Sequence, residues 1–166
     1  MIDISRLMRY TQYLRHTYFD VLRGLPWDEV VRDRGASFGS LRNIFVHCIA
    51  VFDFANRLLQ DNETTFPRIA YDDYKTVEAI QRYMERVESR FDAYLSALTP
   101  DELSRQVTRT YPSGATMTAT VEDYLLHFFQ EETHHRGEFI ALLWQMDVTP
   151  PHVGWLEYVR LEGVTP

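Results

Sequence analysis

The feature that most constrains the fold is one stretch in which apolar residues recur at alternating steps of three and four positions. Its members are Val77, Ile80, Met84, Val87, Phe91, Tyr94 and Leu98. This spacing is typical of a helix that buries a narrow apolar stripe against other helices. Thr99-Pro100 ends the pattern. The stretch predicts a helix over approximately residues 74–98, and that helix needs helical partners.

Three further segments have helical periodicity and supply those partners. They predict helices over approximately residues 4–23, 40–60 and 120–146. The predicted connections are too long for a simple up-and-down arrangement, which has short loops. We therefore predict an all-α fold in one domain over residues 1–166, a four-helix bundle with long crossover connections.

Two local signals refine this prediction. Ser40 is the predicted N-cap of the second long helix, and Thr120 with Asp123 is close to a capping box for the fourth. Residues 105–119 are rich in β-branched side chains on either side of a Pro-Ser-Gly turn, which fits either a short hairpin or a plain loop.

Composition excludes several classes of function. The chain has 166 residues with 17 Lys and Arg against 24 Asp and Glu, so its formal charge is −7. Such a surface repels nucleic acid and anionic membranes. The longest apolar run, residues 44–55, is too short to span a bilayer. A single cysteine, Cys48, forms no intrachain disulfide, which fits the cytoplasm. We expect a cytoplasmic protein that binds neither nucleic acid nor membrane.

Polar residues interrupt the inner face of the fourth helix. Glu131 and His135 are one helical turn apart, so their side chains meet on one side. A partly buried carboxylate and imidazole need a partner, which is either each other, as an ion pair, or a divalent metal. His47 lies beside the apolar stripe of the second helix. If the two helices are neighbours, His47, Glu131 and His135 form a two-histidine, one-carboxylate set that suits catalytic zinc or non-haem iron.

Other sets of residues are weaker alternatives. A di-iron centre needs a Glu-x-x-His element on two helices, and this chain has that element on the fourth helix alone. His127, Glu131 and His134 share one helical face, which is either a second ligand set or a polar flank. Cys48 lies on an apolar stripe, and we interpret it as a small hydrophobe instead of a nucleophile.

Two motifs link the chain to a known family. One is Thr133-His134-His135-Arg136-Gly137-Glu138, followed by Leu143-Trp144-Gln145-Met146-Asp147-Val148-Thr149-Pro150-Pro151. The other is a helix that starts at Ser40 and carries a histidine, His47, seven residues later. With these motifs the sequence resembles the DinB/YfiT-like family.

The resemblance implies a four-helix bundle with crossovers, usually a homodimer. It also implies a divalent metal, commonly zinc or nickel, held by three histidines. Two of these map onto His47 and His135, but the third position is Glu131 here. A glutamate ligand adds negative charge and favours harder ions such as manganese or iron. Relatives include metal-dependent hydrolases and thiol-dependent transferases that act on small molecules.

Two function classes therefore remain open. One is a metal-dependent enzyme, a hydrolase or a thiol transferase, with Glu132 or Glu138 among the candidate bases. The other is a non-catalytic dimeric bundle with a degenerate or absent metal site. Asn43 precedes His47 by four residues and Glu132 precedes His135 by three, so we expect at least one of the two, Asn43 first, to support its histidine from behind.

A surplus of aromatic residues near the predicted helix stripes favours a homodimer, because one bundle seam is expected to be too small for all of them. These residues are Tyr10, Tyr13, Tyr18, Phe19, Phe52 and Phe54.

Overall fold

The computed structural model describes residues 3–162, and that part of the chain is mostly helical, as predicted. It contains seven α-helices, one β-hairpin and a 3-10 turn at Tyr71–Asp73. The elements in chain order are α1 Ile4–Gly24, α2 Trp27–Val31, α3 Leu41–Gln60, α4 Val77–Ser96, α5 Pro100–Ser104, β1 Gln106–Thr110, β2 Thr116–Thr120, α6 Val121–Gln145 and α7 Trp155–Glu162. The four long helices are α1, α3, α4 and α6, and their ends lie within three residues of the predicted ones.

Side-chain oxygens fix where the long helices begin. The hydroxyl of Ser40 accepts the backbone N–H of Asn43, and Thr76 does the same for Ala79 at the start of α4. Thr120 and Asp123 form a complete capping box at the start of α6. Each bond satisfies an amide that has no partner inside its helix. These caps explain why the helix starts are readable from the sequence.

The four long helices pack around one hydrophobic core. Helix α3 packs against α4 and α6, and α1 packs against the same two helices. Most of α3 is buried, including the large rings of Phe52 and Phe54. Within residues 3–162, no helix combines the length and apolarity that crossing a bilayer requires.

The segment before α6 is a hairpin, which resolves the alternative left open by the sequence. Strands β1 and β2 are antiparallel, with Gln106 opposite Thr120 and Thr110 opposite Thr116. Gly114 has a φ of 83° in the turn between them, a conformation that favours glycine. The backbone N–H of Thr110 donates to the carbonyl of Thr64 at 2.8 Å, which ties the hairpin to the connection after α3.

The C-terminal segment packs back on the first helix. Tyr10 of α1 lies 5.2 Å, centroid to centroid, from both Trp155 and Tyr158 of α7. Arg6 and Glu162 form an ion pair at 2.7 Å at the far end of α7.

The aromatic surplus is used inside the chain itself. Tyr10, Tyr18, Phe19, Phe52 and Phe54 are all buried, and Tyr13 contacts Tyr158. The reasoning that these rings need a partner subunit was therefore wrong, because the added helix α7 and the breadth of α3 cover them. The homodimer itself stays a prediction.

A cluster of charges is buried in the core, and the sequence analysis did not foresee it. Arg15 of α1 donates to Glu88 of α4 at 2.8 Å and to Glu132 of α6, with Nε at 3.2 Å. Its guanidinium lies 4.1 Å from the ring centroid of Phe52 in α3. One arginine thus contacts all three of the other long helices.

Candidate metal centre

The three predicted ligands converge between α3 and α6. His47 lies in the middle of α3, while Glu131 and His135 lie one turn apart on α6. One candidate ligand atom from each residue lies within 4.8 Å of the other two. Nε2 of His135 is 3.7 Å from Oε2 of Glu131, and the two imidazole rings are 4.6 Å apart and nearly perpendicular. The packing of α3 on α6 therefore brings together residues that are more than eighty positions apart in the chain.

His47 is a neutral imidazole, the form in which histidine binds metals. Burial, together with the nearby His135, lowers its pKa to about 4, so the ring is uncharged at neutral pH. A neutral imidazole offers a lone pair to a metal. Its Nδ1 is buried and has no hydrogen-bond partner among the described residues. Leaving a buried polar atom unpaired costs free energy, so a bound group that bonds Nδ1 would stabilise this arrangement.

Glu138 orients the second histidine. Nδ1 of His135 lies 2.9 Å from Oε2 of Glu138, which also accepts the hydroxyl of Ser37 at 2.7 Å. Burial opposes ionisation of Glu138, but its bonds with His135 and Ser37 bring its pKa below the usual range. Because the ionised carboxylate accepts, Nδ1 carries the proton and Nε2 is left to face Glu131. Carboxylate–histidine pairs of this kind fix the tautomer of metal-binding histidines.

The two residues predicted to support the histidines bond elsewhere. Asn43 donates to the carbonyl of Phe38 at 2.8 Å and accepts from Arg42 at 2.9 Å. Glu132 faces the core, where the positive charge of Arg15 holds it, and burial raises its pKa. Glu138, and not the predicted Glu132, is the carboxylate that bonds His135. Asn43 contacts the backbone of Phe38, whose ring stacks on His47.

Phe38 covers one part of the site. Its ring stacks on His47 at 4.1 Å and lies edge-on to His135 at 5.1 Å. A cavity of about 100 Å³ adjoins His47 and Glu131, and Phe38 is not part of its wall. The remaining wall is formed by Val51, Phe54, Phe66, Arg109, His127 and Phe128. The candidate ligands thus have an aromatic cover and an adjacent space for a small ligand.

The alternative ligand sets fit less well. His134, His135 and Glu138 also lie close together, but the side chain of His134 is 68% exposed and Glu138 is already bonded to His135 and Ser37. His127 and Glu131 line the same cavity, whereas His134 faces Glu138 instead. Cys48 is buried, and burial raises the pKa of its thiol, so it stays protonated.

The donor set fits a divalent ion. Two imidazoles and one carboxylate are the ligands of many catalytic zinc sites, and three protein ligands leave coordination positions open. Nδ1 of His47 has no partner among the described residues, and the tautomer of His135 leaves its Nε2 available. Periodicity identified these candidate ligands because polar residues broke an apolar stripe. It missed Phe38 and Arg109, which come from a loop and a strand.

Comparisons with known proteins agree with this fold. The model of the DinB family matches residues 1–164. A DinB-like protein from Bacillus cereus ATCC 10987 has a similar crystal structure, with a TM-score of 0.62 and 18% sequence identity over 89% of this chain and 95% of that one.

A second solved structure is similar to the same degree. The DinB-like protein YjoA from Bacillus subtilis matches with a TM-score of 0.63 and 14% identity, over 89% of this chain and 96% of that one. At such identities the two structures show the shared fold alone. No curated protein matches the sequence. The family match spans nearly the whole chain, and the chain belongs to the DinB family.

Proposed function

We propose that this protein binds a divalent metal through His47, Glu131 and His135, and that the site acts on a small molecule as a hydrolase or a thiol-dependent transferase. The single observation that carries the proposal is the convergence of these three side chains beside a cavity. The four long helices, in this proposal, are a four-helix bundle with crossover connections that holds the ligands on facing helices.

Each residue of the set has a defined task in this proposal. His47 enters as a neutral ring, Glu131 contributes negative charge, and Glu138 keeps Nε2 of His135 directed at the site. A bound divalent ion lowers the pKa of a water or thiol ligand and makes it nucleophilic near neutral pH. The adjoining cavity gives one small group of the substrate a place beside that ligand.

Zinc or nickel is the ion we propose first, because imidazole ligands suit both. The carboxylate of Glu131 also admits the harder ions manganese and iron. Replacing Glu131 by histidine would recreate the three-histidine set that the resemblance implies, so Glu131→His should raise the affinity for zinc and nickel.

A second candidate function is a non-catalytic metal-binding or metal-free bundle. The observation that favours it is the ring of Phe38, which lies against both histidines and shields them. The two functions differ in whether an exogenous ligand can reach the ion. Azide added to cobalt-substituted protein would change the visible spectrum only if a coordination position is open.

The experiment that tests the proposal is metal analysis of protein purified without an affinity tag, followed by calorimetric titration with zinc. We expect about one ion per chain, as in other three-ligand sites. Glu131→Gln removes one ligand charge at nearly the same size and should weaken binding. Glu122→Gln makes the same change at an exposed position on the same helix and should leave binding unchanged. The proposal is refuted if the wild-type chain binds no divalent ion, or if Glu131→Gln and Glu122→Gln bind zinc with equal affinity.

A further inference from the structure

The hairpin places an arginine in the wall of the same cavity. Arg109 of β1 pairs in register with Met117 of β2, and its side chain reaches the cavity that adjoins His47 and Glu131. The guanidinium carbon lies 5.2 Å from the ring centroid of Phe54 and 4.8 Å from that of Tyr111. These two aromatic faces hold the cation in place.

Arg109 has no ion pair with any carboxylate in the described residues, 3–162. Its Nε is buried and lacks a hydrogen-bond partner there. Two other inward-facing arginines are satisfied: Arg15 bonds Glu88 and Glu132, and Arg105 bonds Glu102 and the carbonyl of Leu59. Nη1 of Arg136 is also buried without a partner among the described residues, but Arg136 lines other cavities and not this one. A guanidinium has donors and no acceptor, so the buried Nε–H of Arg109 is available to an acceptor that the described residues do not supply.

The charges around the cavity favour an anion as that acceptor. Glu131 lines the same cavity but lies beyond ion-pair distance of Arg109, and it is directed at His135 instead. A divalent ion on His47, Glu131 and His135 would add positive charge at one part of the wall, and Arg109 supplies it at another. A planar carboxylate matches the fork of a guanidinium with two parallel hydrogen bonds.

The size of the cavity limits what enters. Its volume is about 100 Å³, enough for a few water molecules or one small group. Whole-ligand sites commonly enclose ~300–1,000 Å³. Apolar rings, Phe54, Phe66 and Phe128, form much of the wall, which suits a flat group with a short carbon chain.

We propose that Arg109 binds a carboxylate group of the substrate and so directs the site towards small carboxylic acids. This inference rests on the proposed function, because it assigns the substrate class of the same site.

The first test uses metal-free protein, so that it does not depend on the ion. The Nε–Hε resonance of Arg109 is assigned by its loss in Arg109→Lys and followed by ¹⁵N NMR during titration with acetate and with succinate. We expect this resonance to shift with either acid in the wild-type chain. The variants lack this resonance, so acetate affinity is compared between chains from the shifts of the backbone amide resonances around the cavity. Arg109→Gln should weaken acetate binding about 10- to 100-fold, the loss expected for hydrogen bonds to a charged group.

Two variants serve as controls. Arg68→Gln removes an equal charge from an exposed arginine outside this cavity and should leave acetate binding unchanged. Arg109→Lys keeps the charge but loses the fork, so it should bind acetate with intermediate affinity. It also keeps the test valid if Arg109→Gln does not fold.

The second test uses the cobalt-substituted protein, whose visible spectrum reports on ligands near the ion. Succinate should perturb the spectrum at lower concentration in wild type than in Arg109→Gln, while cobalt affinity is the same in both.

If the wild-type chain binds no divalent ion, the proposed function fails, and the NMR titration still decides whether Arg109 binds carboxylates. If metal binds but acetate and succinate leave the Arg109 resonance and the variant affinities unchanged, this inference is overturned and the metal proposal stands. Stronger binding of inorganic phosphate than of either acid would also overturn it.

Discussion

Replacing Arg15 by methionine measures how much the buried charges stabilise the packing of the long helices. Arg15 is 2% exposed, and its partners Glu88 and Glu132 are 6% and 3% exposed. Methionine has a similar apolar stem, although it lacks the guanidinium that lies over the ring of Phe52. The substitution therefore leaves both carboxylates buried without the arginine, with little change in volume, and the half-exposed His16 still contacts Glu88, at 2.6 Å.

The expected cost follows from that arrangement. Removing one partner of a buried ion pair typically costs about 3–5 kcal/mol, because the remaining charge stays desolvated. The whole folding free energy of a domain is about 5–15 kcal/mol, so this is a large fraction. For a chain of this length each kcal/mol lowers Tm by roughly 2–4 °C. We expect Arg15→Met to melt roughly 6–20 °C below wild type.

The pH dependence of this loss has a definite sign. Burial already raises the pKa of Glu132, although Arg15 opposes the rise. Without Arg15 that pKa rises further, so above pH ~4.3, the ordinary pKa of glutamate, the native state binds more protons than the unfolded state. The deficit of Arg15→Met should therefore grow as pH rises and shrink as pH falls towards 5. Urea unfolding followed by circular dichroism at pH 5 and pH 7 measures the difference.

Two further variants test whether uncompensated buried charge causes the loss of stability in Arg15→Met. Adding Glu88→Gln and Glu132→Gln to Arg15→Met removes the uncompensated charges and should restore much of the lost stability. Arg23→Met breaks an ion pair with Asp20 whose side chains are 59% and 66% exposed, and it should cost less than about 1 kcal/mol. The reasoning is refuted if Arg15→Met costs no more than Arg23→Met, or if the triple variant is no more stable than Arg15→Met.

Three other outcomes are expected. Zinc at about 100 times its Kd should stabilise the fold by about 2.7 kcal/mol and raise Tm by roughly 5–11 °C in a thermal-shift assay, and an equal rise in Glu131→Gln would contradict the site. Glu138→Gln should lower zinc affinity about 10- to 100-fold in a competition titration, because its carboxylate orients His135, and Asn43→Ala should lower it less. Light scattering at micromolar concentration should give the mass of a homodimer, and Trp144→Glu, at a ring that is 58% exposed, should give a monomer; a monomeric wild-type chain would refute this.

The long helices could be predicted because their signals are local. Apolar residues at steps of three and four mark α4, and Ser40 and Thr120 cap the helices that follow them. The hairpin was less certain, since β-branched residues around a turn favour a strand only when another segment pairs with it. Its hydrogen bond from Thr110 to Thr64 joins segments 46 positions apart, which no local pattern reveals.

The cluster of candidate ligands could also be predicted, but its surroundings could not. Glu131 and Glu132 are adjacent, so they point about 100° apart around the helix and serve different environments. Glu131 is four positions before His135 and Glu132 is three, so helical spacing alone allows either residue to contact this histidine. What separates them is Arg15, 117 positions away from Glu132, which draws Glu132 into the core and leaves Glu131 at the site.

The loop before α3 couples the cover of the site to the orientation of its ligand. Ser37 bonds Glu138, which holds His135, while the next residue, Phe38, stacks on His47. Gly39 follows with a φ of 80°, and a Cβ there would lie 3.1 Å from the carboxylate of Asp33. A side chain at position 39 would strain the loop next to Ser37 and Phe38, the residues that contact Glu138 and His47. The loop can therefore change the candidate metal site without altering any candidate ligand, because one short segment contacts both the carboxylate that orients His135 and the ring of His47.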